Sequence, residues 1–231
     1  MKERPILFSG EMVRAILDGR KTQTRRTFKE QPPEGCGAIE GPQMFAPTVY
    51  VRGEEQPGPE VFGAFSEDGE WSIKCPYGQP GDRLWVRETW FQKGRYVMPA
   101  WPEAEPEDAV WSGSKTIQFP ASGDNPESRE DGRVIWRKRP SIHMPRWASR
   151  ILLEITNVRV ERLQEVSETD AKAEGVNGEQ EAIDAGLSWY DKPRRAFQFL
   201  WQSINGADSW DANPWVWVVE FRVIQPREVA A

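Results

Sequence analysis

The chain is poor in the residues from which metal and redox centres are built. Its 231 residues include one histidine, His143, and two cysteines, Cys36 and Cys75. The cysteines lie far apart and lack a Cys-x-x-Cys spacing, so no Cys/His zinc site is expected. In a reducing compartment two free thiols are the simpler reading. Long apolar runs are missing too. None approaches the roughly 18 residues of a membrane span, and Met1-Lys2-Glu3-Arg4-Pro5 leads into too few apolar residues for a secretion signal. A cytoplasmic protein without a membrane partner is expected. There is no P-loop, no Gly-x-Gly-x-x-Gly, no Gly-x-Ser-x-Gly and no His-Glu-x-x-His. ATP hydrolysis, dinucleotide redox chemistry and zinc proteolysis are therefore unsupported, and neither metal nor cofactor is expected. No repeat is visible.

Hydrophobic residues make up 38% and include twelve Trp, enough for a core. The net charge of −6 argues against a protein that coats long nucleic acid by neutralising its phosphates. The charge is uneven, however. Residues 20–26 and 133–150 are basic, whereas 54–70 and 103–108 are acidic. A local basic cleft on an acidic body suits a nucleoside, a nucleotide or a short single strand better than a duplex.

The most distinctive segment is Gly19-Arg20-Lys21-Thr22-Gln23-Thr24-Arg25-Arg26. It follows a short amphipathic helix with Ser9 as N-cap, Glu11 in the first turn, and Met12, Ala15 and Ile16 at helical spacing. Asp18-Gly19 ends that helix, with Gly19 suited to the left-handed position. The run then enters a strand, as Thr22 and Thr24 suggest. A Lys beside a Thr hydroxyl is a base–nucleophile pair in the making. The two can meet only if Lys21 precedes the strand proper, because strand positions three apart face opposite ways.

Pro and Gly punctuate residues 28–80, which read as an insertion carrying one hairpin. Pro80-Gly81-Asp82 is a turn, followed by a strand over 83–89 with Leu84, Val86 and Glu88 on one face. A second insertion runs over 92–133. Residues 151–156 and 158–163 read as two strands joined across Asn157. Ser167 caps a short helix with Asp170 at N3, closed by Gly175. Pro193 opens a helix whose buried stripe is Phe197, Leu200, Trp201 and Ile204. Residues 215–223 read as a central strand, with Trp215 and Trp217 in the core. Strands and short helices without βαβ regularity indicate a mixed α+β fold in one elaborated domain, 1–231.

The helix ending in Gly-Arg-Lys-Thr and continuing x-Thr-x-Arg, here Gly19 to Thr24 and Arg26, resembles the ASCH family of the PUA-like superfamily. These are small β-barrel proteins associated with RNA and nucleotides. Gly81-Asp82-Arg83-Leu84-Trp85-Val86-Arg87-Glu88 resembles the family's turn and strand ending in a Glu. Ser167-Glu168-Thr169-Asp170-Ala171-Lys172-Ala173-Glu174-Gly175 resembles its helix closing on Glu-Gly. Residues 5–10 and 215–221 look like a larger, phage-borne branch. The resemblance covers about half the chain and leaves both insertions unmatched. It implies a PUA-like mixed β-barrel with short flanking helices. In related enzymes that deacylate the exocyclic amine of cytidine, the catalytic set is a Lys and a Thr of the first motif plus a Glu. Here that set would be Lys21, Thr24 and Glu88.

The leading expectation is thus a hydrolase of a modified nucleoside or base, with an N4-acylated cytidine as substrate. Arg20, Thr22, Arg25, Arg26, Trp85, His143, Arg146 and Trp147 are the candidate substrate contacts, the Arg side chains for phosphate and the Trp rings for stacking. Trp90 and Trp136 flank the basic segments as well, and Arg25, Arg26, Arg146 and Arg150 are expected to share one positive patch. If Glu88 is instead structural, its partner would be Arg25 or Arg26. A non-catalytic RNA or modified-base binding module, a single-strand ribonuclease and a phage accessory protein stay open. A binding cleft and a catalytic cleft call for the same residues.

Overall fold

The computed structural model describes residues 1–126, 135–176 and 192–226. After β1 (Glu3–Leu7) comes α1 (Gly10–Leu17), whose first turn is closed by Ser9: the Met12 amide donates to its Oγ at 3.4 Å and the Val13 amide to its carbonyl at 2.9 Å. Val13, Ala15 and Ile16 form its buried stripe. Gly19, at φ +73°, turns the chain, and the amides of Arg20 and Lys21 both donate to the Ala15 carbonyl at 2.9 Å. Lys21 therefore lies ahead of β2 (Gln23–Thr27).

Two compact units divide the chain. The first comprises Met1–Arg4, Ala15–Leu84 and Glu154–Arg222. It holds β2 and parts of the other strands of a five-stranded sheet ordered β1-β8-β12-β13-β2, where β8 is Arg83–Arg87, β12 is Ile151–Arg162 and β13 is Trp215–Pro226. β13 pairs antiparallel with β2, placing Val219 opposite Thr24 and Val218 opposite Arg25. With neighbours on both sides, β13 buries Val216 to Val219 in succession, which explains why it is apolar on both faces. On one face Val216 and Val218 pack with Leu163, Ala171, Phe197 and Trp201, the last three from α2 (Glu168–Ala173) and α3 (Pro193–Asn205). On the other, Trp217 meets Phe28 at 4.7 Å between ring centroids.

Several local expectations are corrected. Residues 151–162 form one continuous strand, not two. The buried alternation slips by one position at Thr156 and Asn157, both exposed, while the backbone stays extended. In α3 the buried residues are Ala196, Phe197 and Trp201; Leu200 is half-buried and Ile204 exposed. Trp215 is half-buried under the Arg162 guanidinium, 4.8 Å from its ring, so only Trp217 is core.

The first insertion holds five strands where one hairpin was expected. β3 (Ile39–Phe45), β6 (Val61–Ser66) and β7 (Ser72–Lys74) make a three-stranded sheet, and β4 (Thr48–Val51) pairs with β5 (Glu54–Pro57). The prolines are accommodated at irregularities: Pro42 lies in the register shift between Glu40 and Gln43, and Pro57 ends β5.

The second unit comprises Pro5–Arg14, Trp85–Leu153 and Val223–Ala231. It contains β9 (Trp90–Val97), β10 (Val110–Gln118) and β11 (Ile135–Arg139), ordered β10-β9-β11. Trp90, Phe119, Met144 and Ala148 form its small core. The second insertion thus contributes β10 and most of β9. Among the described residues the strands form open sheets and no closed barrel, and the inserted strands pair with one another. The chain is mixed α+β. No helix among the described residues is long and apolar enough to cross a membrane.

Candidate functional site

The first unit centres on a buried amine. Lys21 is 2% exposed, and its Nζ donates to the Glu174 Oε2 at 2.9 Å and to the Glu174 carbonyl at 2.8 Å. The backbones of the two residues also form an isolated antiparallel bridge, and the Thr22 amide donates to the Ala173 carbonyl at 2.9 Å. The Gly that follows makes this approach possible. Gly175 has φ +78°, and a Cβ there would lie 2.7 Å from the Lys21 Cβ and 2.9 Å from the Ala15 Cβ. Burial pushes the Lys21 amine below its ordinary pKa; the Glu174 charge and hydrogen bond oppose this, and Arg26 and Arg25 add to it.

Glu174 joins two cations. Its Oε1 accepts from Arg25 Nη1 at 3.0 Å, and the Arg25 Nε donates to Glu161 Oε1 at 2.9 Å. Arg159 continues the network, donating to Glu161 at 3.1 Å, to Asp170 at 2.8 Å and to Glu220. Asp170 is held below the ordinary carboxylate range: burial opposes the shift, but the Ser167 hydroxyl and the charges of Arg159 and Arg25 outweigh it. Three cations and four carboxylates interlock here, so Lys21 and Arg25 of the basic run are neutralised within their own unit. In particular Arg25 has a fully buried side chain, over the Phe197 ring at 5.7 Å, and is a structural ion-pair partner instead of a substrate contact.

Thr24 is also buried, at 2% exposure. Strand alternation sends Thr24 and Arg26 to the face opposite Gln23 and Arg25. Arg26 is half-buried on that face and its charge acts on the Tyr77 phenol, whose pKa burial raises. Thr22 is exposed and Arg20 half-buried, with its Nη1 donating to the Gly175 carbonyl at 3.3 Å.

In the second unit, Glu88 is 1% exposed and held bidentately by Arg150, Nε to Oε1 at 2.9 Å and Nη2 to Oε2 at 3.0 Å. The partner is neither Arg25 nor Arg26 but Arg150, which belongs to the same unit as Glu88. Arg150 lies 4.1 Å over the Phe119 ring and donates to Ser122 Oγ at 2.6 Å, and the Glu88 amide donates to Met144 Sδ at 3.5 Å. Burial raises the Glu88 pKa and Arg150 only partly opposes it. With Arg25 and Arg150 both engaged by carboxylates, the shared positive patch expected of Arg25, Arg26, Arg146 and Arg150 loses two members. Arg146 is half-buried.

Trp85 is half-buried beneath Arg87, 5.6 Å from its ring, and Trp147 is 42% exposed and edge-on to the buried Trp90 at 5.8 Å. His143 is exposed on a single turn of 3-10 helix, Ser141–His143. Both cysteines are free, and burial pushes the Cys75 thiol up to about 11. No cluster of three His, Cys, Asp or Glu with metal-binding geometry occurs among the described residues.

Glu174, Glu161, Asp170, Arg159 and Tyr77 were not singled out as site residues from the sequence. For Glu174 a signal existed: the Glu-Gly at the end of the third motif places a carboxylate on Lys21 and a glycine against its side chain. The others carry no local signal. No family model matches the chain, and no curated protein or solved structure matches it.

Proposed function

We propose that the chain is a hydrolase of modified nucleosides, an elaborated member of the ASCH family acting in the cytoplasm on the amide of an N4-acylated cytidine, free or in a short RNA. The observation that supports this reading is the junction of two motifs. The Lys of the first and the Glu-Gly of the third meet in a buried ion pair, and the amine there has a lowered pKa. A buried carboxylate–amine pair of perturbed basicity is more characteristic of a chemical site than of a solvated basic face.

In the proposed reaction neutral Lys21 takes the proton of the Thr24 hydroxyl, whose oxygen attacks the acyl carbon. The C–N bond breaks, the cytidine amine leaves with a proton from Lys21, and water hydrolyses the Thr ester to release the acid. Water is the only co-substrate. Glu174 tunes the amine by direct contact. Glu88 is the carboxylate that the resemblance would add to the set, and burial raises its pKa.

The test is turnover on a panel of N4-acylated cytidines, with short RNAs followed in parallel for scission. Thr24→Ala should abolish deacylation while leaving affinity within a few-fold, because the hydroxyl is needed in the transition state and adds little to ground-state binding. Absence of turnover on every acylated nucleoside, with binding that Lys21→Ala destroys and Thr24→Ala spares, would make the chain a reader of the modified base instead.

A further inference from the structure

The β10-β9-β11 sheet has a charge composition at odds with the rest of the chain. Its three strands, WFQKGRYV, VWSGSKTIQ and IWRKR, contain six cations and no carboxylate, on a chain of net charge −6. Cross-strand register separates its two faces. Trp111 pairs with Tyr96, Arg137 with Gln92 and Arg139 with Trp90, which sets these residues on one face. That face is occupied by its own side chains: Arg137 lies 5.8 Å over the Trp111 ring, Tyr96 is edge-on to Trp111 at 5.4 Å, and Arg139 donates to Gln92 at 3.3 Å.

On the other face Arg95 lies opposite Ser112, Lys93 opposite Trp136, and Phe91 opposite Lys138. Arg95 and Lys138 are exposed, Lys93 and Trp136 half-exposed. None of the three cations has a carboxylate partner among the described residues. A groove of about 350 Å³ runs over this pair of strands, lined by Lys93, Gly94, Arg95, Ser112, Ser114 and Thr116 among others. Gly94 and Gly113 pair across its two strands, and a Cβ at either would point to the opposite face, against Trp111 and Gln92. The register shift between Gly113 and Ile117 re-aims the hydroxyl-bearing side of β10, and Ser114 Oγ donates back to the Lys93 carbonyl at 2.9 Å. The acidic stretch Glu103 to Asp108 adjoins the Val97–Val110 end of the hairpin, so the cationic region is bounded there.

We propose that this face binds a single-stranded polynucleotide, with Lys93, Arg95 and Lys138 on its phosphates and Trp136 stacked on a base. Unpaired cations repeating at every second strand position, beside an aromatic plane and hydroxyl donors, match the requirements of an extended polyanion with flat bases. A free nucleotide would need only one such cation. An acidic peptide would match the charge but not the Trp136 plane. The surface combines strands of the second insertion with β11, which follows it, and is independent of the Lys21 chemistry.

The experiment is fluorescence anisotropy of the full chain with labelled oligo-uridine, oligo-thymidine and a duplex of equal length, over a salt series. Binding of a single strand, RNA or DNA, should weaken with salt with a log–log slope of about −2, from about 0.7 per phosphate over three contacts. The triple variant Lys93→Gln/Arg95→Gln/Lys138→Gln should lose at least about tenfold, and Trp136→Ala at least about fivefold. Arg95→Gln/Lys138→Gln, which touches only exposed side chains, should show most of the effect. The same charge change at the exposed Lys29, Arg52 and Lys74 should leave binding unaltered. Preference between the uridine and thymidine probes would assign the strand to RNA or DNA. No binding of either strand at low salt, equal loss in both triple variants, equal affinity for duplex, or displacement by poly-glutamate as readily as by oligonucleotide would each overturn the proposal.

Discussion

Replacing Glu174 with Gln is the sharpest probe of the Lys21 site, because it removes one charge at nearly constant shape. The side chains of Lys21 and Arg25 are fully buried, and both contact the Glu174 carboxylate. Arg25 keeps Glu161 at 2.9 Å in the variant, and Lys21 keeps the Glu174 carbonyl at 2.8 Å. The loss therefore falls on Lys21, which would sit charged and uncompensated in a low-dielectric pocket. Breaking a buried pair from one side costs about 3–5 kcal/mol, and the retained carbonyl places this case near the lower figure, about 3 kcal/mol. At an m-value of about 3 kcal/mol/M the urea midpoint should fall by about 1 M. The pH dependence has a definite sign. Folding lowers the Lys21 pKa, so the unfolded chain holds the proton more tightly, and stability rises with pH through the folded pKa up to the unfolded value. Removing the carboxylate lowers the folded pKa further and extends that rise to lower pH. Urea melts at neutral and alkaline pH should show the Gln variant recovering part of its deficit. A loss under about 1 kcal/mol with an unchanged pH slope would mean that the buried pair does not form.

Gly175→Ala should destabilise by about 1–3 kcal/mol, since the residue is at positive φ and its Cβ would press on Lys21, and deacylation should fall with it; thermal melts and turnover check both. Arg150→Met leaves Glu88 buried without its cation, costing about 3–5 kcal/mol near neutral pH. Because the folded pKa of Glu88 is already raised, this variant should be relatively more stable in acid and lose stability as pH rises through that pKa, which melts at mildly acidic and neutral pH would reveal. Phe197→Ala, beneath Arg25 and beside Trp201 and Trp210, should cost about 3–5 kcal/mol by denaturant titration.

What was legible in the sequence carries its signal within a few residues. Ser9 and Gly19 bracket α1, Ser167 and Gly175 bracket α2, and Pro193 opens α3, because capping and left-handed turns are local chemistry. That Lys21 lies ahead of β2 was expected only on the condition that it meet Thr24. Pairing across the chain was not legible. Lys21 and Glu174 are 153 positions apart, and Glu88 and Arg150 are 62 apart, so charge type alone does not select the partner. The short strands of the first insertion were hidden by their prolines, which lie at irregularities and ends. The Thr156–Asn157 slip in β12 mimics a strand break in the burial pattern. The cationic sheet was masked by the acidic total, since its residues come from three separated segments and become one face only through register.

The central claim is that Lys21 acts as a base whose readiness Glu174 controls. The most direct measurement is the pH profile of kcat/KM on N4-acetylcytidine for the native chain and for Glu174→Gln. The account predicts a rising acid limb set by the Lys21 amine, displaced to lower pH in the Gln variant, because loss of the carboxylate makes the amine easier to deprotonate. A profile whose limb does not move, or no turnover at any pH, would contradict it.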